Sequence, residues 1–191
     1  MNITLLNFSP RTTGNCAAIC RQIQNYYANT NIRLFDVCKY ISPCSSCDYE
    51  CLTPGVECPM LTEGQHDLMD AIRTSDLVYY VVPNFCGMPN SVYYAFNERS
   101  VGYFNMDRGI LGQYMAARKR FIVVSNTESN IFVEALRQQT RTDPEILYLK
   151  TGKYKKKSTA GDMMDSEEAR SDLLDFLKKD DHGYTSDRWR P

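Results

Sequence analysis

The sequence predicts an α/β fold: a doubly wound, five-stranded parallel sheet in the order 2-1-3-4-5, with helices on both faces. Three observations predict it. Five short apolar runs recur along the 191 residues, separated by segments in which apolar side chains recur at helical spacing. The runs are apolar throughout rather than alternating, the pattern of strands buried on both faces. The loop after the first run is suited to an anion, and it lies where this strand order places ligands, outside the carboxyl ends of the strands.

The first run, Ile3-Thr4-Leu5-Leu6, leads into Asn7-Phe8-Ser9-Pro10-Arg11-Thr12-Thr13-Gly14-Asn15-Cys16. A helix over 15–28 follows, with Ala17, Ile19, Cys20, Ile23 and Tyr27 at helical spacing. A loop that enters a helix presents unpaired N–H groups and the positive end of the helix dipole, and phosphate is the usual occupant. Ser9 offers a hydroxyl, Arg11 a permanent charge and Asn15 an amide donor. Pro10 stiffens the turn and Gly14 admits close backbone approach. Neither G-x-G-x-x-G nor G-x-x-x-x-G-K-[ST] is present, which disfavours a dinucleotide-binding Rossmann unit and a P-loop nucleotidase. Taken alone, the stretch also reads as an ordinary turn and helix cap.

The remaining strands are Ile32–Val37, Leu77–Val82, Arg120–Ser125 and Ile146–Leu149. Helices are predicted over 63–74 (Leu68, Met69, Ile72), 90–104 (Val92, Tyr93, Phe96, Phe104), 130–140 (Ile131, Val133, Leu136) and 166–179 (Ala169, Leu173, Leu174, Leu177). After the third strand comes a second carboxyl-edge loop, Pro83-Asn84-Phe85-Cys86-Gly87-Met88-Pro89-Asn90-Ser91. A planar ligand there would meet Phe85 and N–H groups from Asn84 to Gly87; the plainer alternative is a connecting loop with a buried Phe.

Composition narrows the class. Hydrophobic residues are 43%, charged residues 24% and the net charge is −1, so there is no bulk attraction to nucleic acid or to a membrane. No apolar run approaches the ~20 residues of a spanning helix, and no signal-peptide pattern precedes the first strand. The expected location is cytoplasmic, where thiols stay reduced. Of eight cysteines, four cluster at Cys44, Cys47, Cys51 and Cys58; Cys16, Cys20, Cys38 and Cys86 are dispersed. Thiolates at such spacing suit zinc or an iron–sulfur centre, and equally read as free loop thiols. Much of the Tyr content, 13 residues, is expected in the core. Gly152-Lys153-Tyr154-Lys155-Lys156-Lys157-Ser158 reads as a solvated basic loop, or as one that attracts a cofactor phosphate. His66 and His182 stand in no constellation and are expected to be solvated. The residues after Asp180 are a polar tail containing Trp189.

The two loops together resemble the NAD(P)H-dependent FMN reductase family of flavodoxin-like proteins. Ser9-Pro10-Arg11 and Gly14-Asn15 match its G-S-P-R-x-x-[GS]-N-[ST] loop. Pro83, Phe85 and Gly87 match its P-x-Y-W-G loop in kind, and Ala95-Phe96-Asn97-Glu98-Arg99 with Gly102-Tyr103-Phe104 is similar to its helix ending. The resemblance spans roughly residues 1–180. Departures are Phe8 in place of Gly, Cys16 in place of Ser or Thr, Cys86 in place of Trp, and Ser125-Asn126-Thr127-Glu128 without the glycines of the third flavin loop.

The resemblance implies a flavodoxin-like FMN domain over 1–180, with a Cys-rich insert at 42–60 and a tail at 181–191. It implies FMN phosphate near Ser9, Arg11, Gly14, Asn15 and Cys16, and the flavin ring against Pro83, Asn84, Phe85, Cys86 and Gly87. Ser125 and Thr127 form the third rim. The implied chemistry is hydride transfer from NAD(P)H to flavin and on to a small-molecule acceptor such as a quinone or a flavin, with no catalytic side chain required. Iron–sulfur flavoproteins of the same superfamily carry C-x2-C-x2-C-x(4–7)-C after strand 2; here the middle gap is three residues. That leaves an alternative, a [4Fe–4S]/FMN electron-transfer protein with Cys44, Cys47, Cys51 and Cys58 as ligands and a redox protein as partner. A flavin-free binding module with a thiol or zinc knuckle is the third reading. The resemblance further implies a homodimer or homotetramer, with Tyr103, Phe104 and the tail as interface candidates.

Overall fold

The computed structural model describes residues 1–45, 47–127 and 129–179. The tail expected over 181–191, with His182 and Trp189, lies outside the described residues. The main strands are β1 (Asn2–Asn7), β2 (Asn31–Asp36), β3 (Leu77–Phe85), β5 (Arg118–Ser125) and β6 (Glu145–Lys150), with a two-residue β4 (Met88–Pro89). The helices are α1 (Asn15–Tyr26), α2 (Glu63–Thr74), α3 (Ser91–Met106), α4 (Arg108–Ala116), α5 (Asn130–Arg137) and α6 (Glu167–Lys178).

The five main strands are parallel and ordered β2-β1-β3-β5-β6, with β4 antiparallel to β3 off that path. With β4 set aside this is the expected order. The register steps the carboxyl ends across the sheet: Asn7 lies opposite both Asp36 and Val81, Pro83 opposite Val124, and Ser125 opposite Lys150. The loop after β1 therefore starts lower than the other two: Asn7 is level with Val81, whereas β5 and β3 run on to Ser125 and Phe85.

Alternation along each strand feeds two cores. Leu77, Tyr79 and Val81 join Ile3, Leu5 and Val124 against α1 and α6. Val78, Tyr80 and Val82 join Leu6, Phe121 and Val123 against α2, α3, α4 and α5. Helix ends follow local chemistry. The Thr62 Oγ1 caps α2 by accepting from the Gln65 N–H at 3.2 Å, and Ser166 Oγ caps α6 by accepting from Ala169 N–H at 3.4 Å.

Helix α4 is an addition to the expected set. Gly109 and Gly112 weaken its helical signal, but Asp107 interrupts α3 in extended conformation and caps the new helix, accepting from the Gly109 N–H at 2.7 Å. Tyr114 of α4 is buried, hydrogen-bonded to Tyr80 at 2.9 Å and donating to Gln139. Tyr103, an expected interface residue, is also buried, donating to Asp70 at 2.5 Å; Phe104 packs on Tyr114 with ring centroids 4.9 Å apart.

Lys119 of β5 is buried, 4.3 Å from the Tyr114 ring centroid, and its ammonium donates to the carbonyls of Tyr114 and Ala117 that end α4. Burial pushes its pKa down to about 7, with a smaller push from Arg141. An unfolded lysine titrates near ~10.4. Between these values the unfolded chain binds more protons, so the penalty for burying this charge is full below about pH 7 and fades as pH rises through the window. Lys119→Met is therefore expected to gain stability relative to wild type by more at about pH 6 than at about pH 9, measured by urea unfolding at both.

Candidate functional site

The site is the carboxyl edge, where three loops meet. The first continues β1. The Phe8 N–H bonds to the Val81 carbonyl at 3.0 Å, and the Phe8 carbonyl accepts from Asn90 Nδ2 at 2.7 Å. The Phe8 ring is fully buried among Tyr80, Tyr93 and Phe96, with centroids 5.4–5.6 Å away. The position that usually takes glycine in the resembling family is here an aromatic anchor, directed into the core rather than into the turn. Asn7 then orients the turn, accepting from the Ser9 N–H at 3.0 Å and donating to Asp36 Oδ1 at 2.9 Å. Ser9 Oγ accepts from the Arg11 N–H at 3.2 Å.

Gly14 is the N-cap of α1 in extended conformation. It supplies no side-chain cap, and the first turn carries no acid. The first N–H groups of the helix therefore face the loop with no intrahelical acceptor and no competing carboxylate, which suits a phosphate. The exposed Thr12 and Thr13 add two hydroxyls. They carry no motif, and their position directly before Gly14 was the only signal.

Of the five residues expected around a phosphate, Asn15, Arg11 and Cys16 also have other partners or surroundings. Asn15 is buried. Its Nδ2 donates to the carbonyls of Lys157 (3.2 Å) and Ser158 (3.1 Å), and its Oδ1 accepts from the Met163 N–H at 3.0 Å. Arg11 Nη2 donates to the Thr159 carbonyl at 2.8 Å. Cys16 lies in the core under α1, where burial pushes its thiol up to about 12. The segment between β6 and α6 thus forms a strap clamped on the first loop. Within it Lys156 pairs with Asp162 at 3.4 Å, and Lys153 with Asp172 at 2.5 Å. The basic run is in this way partly paired and lies beside the first loop.

The second loop is a hairpin rather than an open connection. β3 runs through Pro83 to Phe85, and the chain reverses at Cys86 and Gly87 (φ +51° and +86°), pairing Phe85 with Met88 and Asn84 with Pro89. Two left-handed residues between paired strands suit the right-handed twist of a two-residue hairpin. Gly87→Ala is expected to cost about 1–2 kcal/mol from its left-handed φ alone, read from the urea midpoint; its Cβ would also lie 3.3 Å from Ser129 Oγ. The Gly87 N–H, expected to face a ligand, instead donates to Asn84 Oδ1 at 2.8 Å. Asn84 Nδ2 donates to Ser125 Oγ (2.7 Å) and to the Thr127 carbonyl (3.1 Å). Phe85 remains 67% exposed at the hairpin, and Cys86 is exposed.

The third loop begins at buried Ser125, whose Oγ accepts from the Thr127 N–H at 2.9 Å and donates to the Thr127 carbonyl. Asn126 accepts from Thr151, which fastens this loop to the strap. Asn84 and Ser125 thus hold the second and third loops together, and Asn90 holds the second to the first. The Asn90 Oδ1 is buried with no donor among the described residues, an acceptor available to a ligand N–H. What the arrangement offers is an anion site at α1, an exposed aromatic face at Phe85, and a rim of backbone and hydroxyl groups at Ser125–Thr127.

The four clustered cysteines do come together, but not as a metal cage. Among the described residues no group of three or more His, Cys, Asp or Glu side chains has metal-holding geometry. Arg99 of α3 instead directs its Nη1 at the sulfurs of both Cys44 (3.9 Å) and Cys58 (3.7 Å). The Cys51 thiol is pushed up by burial and by Cys58, Cys47 and Cys44, so all four share one electrostatic neighbourhood. His66 lies 3.6 Å from Glu57 and faces the Tyr103 ring, outside any catalytic constellation.

This architecture, with its loops gathered at the carboxyl edge of a parallel sheet, is a flavodoxin-like α/β fold. No family model and no curated protein matches the chain. Solved structures do. Smu.1420 from Streptococcus mutans UA159 is 11% identical with a TM-score of 0.64, covering 93% of this chain and 100% of that one. The Trp repressor binding protein from Bacillus subtilis is 12% identical with a TM-score of 0.60, covering 93% and 98%. FerB, a flavoenzyme NAD(P)H:(acceptor) oxidoreductase from Paracoccus denitrificans, is 13% identical with a TM-score of 0.56, covering 93% and 95%. At these identities the likeness is one of fold. Among the described residues no helix is long and apolar enough to cross a membrane.

Proposed function

We propose that the chain is an FMN-dependent NAD(P)H oxidoreductase acting on a small-molecule acceptor of the quinone or flavin type. The observation that carries this reading is the uncapped, acid-free N-terminus of α1 set beside the exposed Phe85 at one sheet edge. An anion site and a planar face at this position suit a phosphorylated aromatic cofactor. FerB, of the same fold, is described as a flavoenzyme of this reaction type.

Bound FMN would supply hydride acceptance from nicotinamide and its return to the acceptor. The chain's own residues bind and orient. The N–H groups that open α1, with the hydroxyls of Ser9, Thr12 and Thr13, would hold the phosphate, and the Arg11 charge adds attraction from the strap. Phe85, Ser125 and Thr127 would border the ring. No side chain is assigned as acid or base. A homodimer or homotetramer belongs to the same proposal. Its interface candidates move from Tyr103 to the exposed Tyr94 and Val101 on α3, and sedimentation velocity tests it.

Reconstitution with FMN is the test. Saturable quenching of flavin fluorescence at about one FMN per chain, followed by bleaching on addition of NADPH or NADH and recovery with a quinone, supports the reading. Absence of flavin binding after reconstitution overturns it.

A further inference from the structure

We propose that Cys44 and Cys58 form a thiol–disulfide exchange pair, with Arg99 as its positioning residue. This site is independent of the flavin reading. Arg99 is 3% exposed, and no carboxylate pairs with it among the described residues. Its Nη2 donates to the Met60 carbonyl and to Gln65 Oε1, its Nε is buried without a partner, and its Nη1 is aimed at two sulfurs, Cys58 at 3.7 Å and Cys44 at 3.9 Å. A buried cation with no anion beside it is costly. The two sulfurs are the acceptors that Nη1 meets in place of an anion. Both sulfurs lie within 4 Å of one nitrogen, which makes Arg99 Nη1 a common neighbour of the pair.

The two thiols differ in the way an exchange pair requires. Cys44 is exposed and its N–H donates to Glu98 Oε2 at 3.4 Å, whereas Cys58 is buried against α3. Gly102 makes room for Cys58: a Cβ at that position would lie 2.7 Å from Cys58 Cβ. The insert is tied down again where Asn105 Nδ2 donates to the Thr53 carbonyl at 2.9 Å. The substrate class is a small disulfide. Cys44 sulfur attacks one of its sulfurs, forming a mixed disulfide, while the first small thiol leaves and takes up the Cys44 proton. Cys58 sulfur then attacks Cys44 sulfur, closing the Cys44–Cys58 bond, while the second small thiol leaves and takes up the Cys58 proton. Two protein thiols are oxidised by two electrons, and one small disulfide becomes two thiols.

The test uses the full chain, reduced and then exposed to oxidised glutathione under nitrogen, with peptide mapping by mass spectrometry. Iron and zinc are counted on the same sample as purified. A Cys44–Cys58 linkage is expected. Cys58→Ser should trap glutathione on Cys44, in about tenfold excess over Cys86, an exposed thiol with no such cation beside it. Arg99→Gln should abolish that excess while circular dichroism reports an unchanged fold. A Cys51–Cys58 linkage, no linkage, equal labelling of Cys44 and Cys86 in Cys58→Ser, or stoichiometric iron or zinc on these sulfurs would each overturn the proposal.

Discussion

Phe8→Ala is expected to lower the free energy of unfolding by about 3–5 kcal/mol, the range for deleting a buried aromatic ring. The ring is fully buried against Tyr80, Tyr93 and Phe96, so its loss leaves a cavity lined by three aromatic faces. Its backbone also joins two loops, through the Val81 carbonyl on one side and Asn90 on the other. The measurement is urea unfolding followed by far-UV circular dichroism. A loss under about 1 kcal/mol would mean that the neighbours close over the site and that Phe8 is not an anchor. Phe8→Leu should recover part of the loss, because volume and not aromaticity supplies most of it.

Gly161→Ala is the second large effect. Its φ of +79° is left-handed, and a Cβ there would lie 2.5 Å from the Thr13 carbonyl oxygen, a backbone atom that cannot swing aside. Conformational strain costs about 1–2 kcal/mol and overpacking about 1–3 kcal/mol; the two act through different atoms and are expected to add. The strap should also lift from the first loop, loosening the contacts of Asn15 and Arg11 with Lys157, Ser158 and Thr159. A variant that binds FMN as tightly as wild type would show that the strap does not shape the anion site. Flavin fluorescence titration, run beside the unfolding curve, separates that outcome from simple destabilisation.

How much of this was legible in the sequence depends on the distance over which each feature is determined. The strands and most helices were, because apolar runs and helical spacing are local patterns. α4 was hidden by Gly109 and Gly112, and its start depends on Asp107, which caps it. Pro83 and the turn residues after it suggested an open loop, whereas β3 continues past Pro83 into the Cys86–Gly87 reversal. The motif placed the first loop correctly at the sheet edge. It could not show that Asn15 and Arg11 are engaged by carbonyls more than 140 residues away. Likewise the cysteine spacing implied proximity of four sulfurs, but only tertiary structure brings Arg99 to two of them.

The strap has a consequence for the order in which the protein is made. β1 and α1 leave the ribosome well before the strap, and the residues that clamp their connecting loop lie more than 140 residues further on. A nascent chain that ends before residue 157 has the first loop without its clamp. If the proposed phosphate site needs its clamp, late closure of this long-range contact is expected to set the pace at which binding competence emerges.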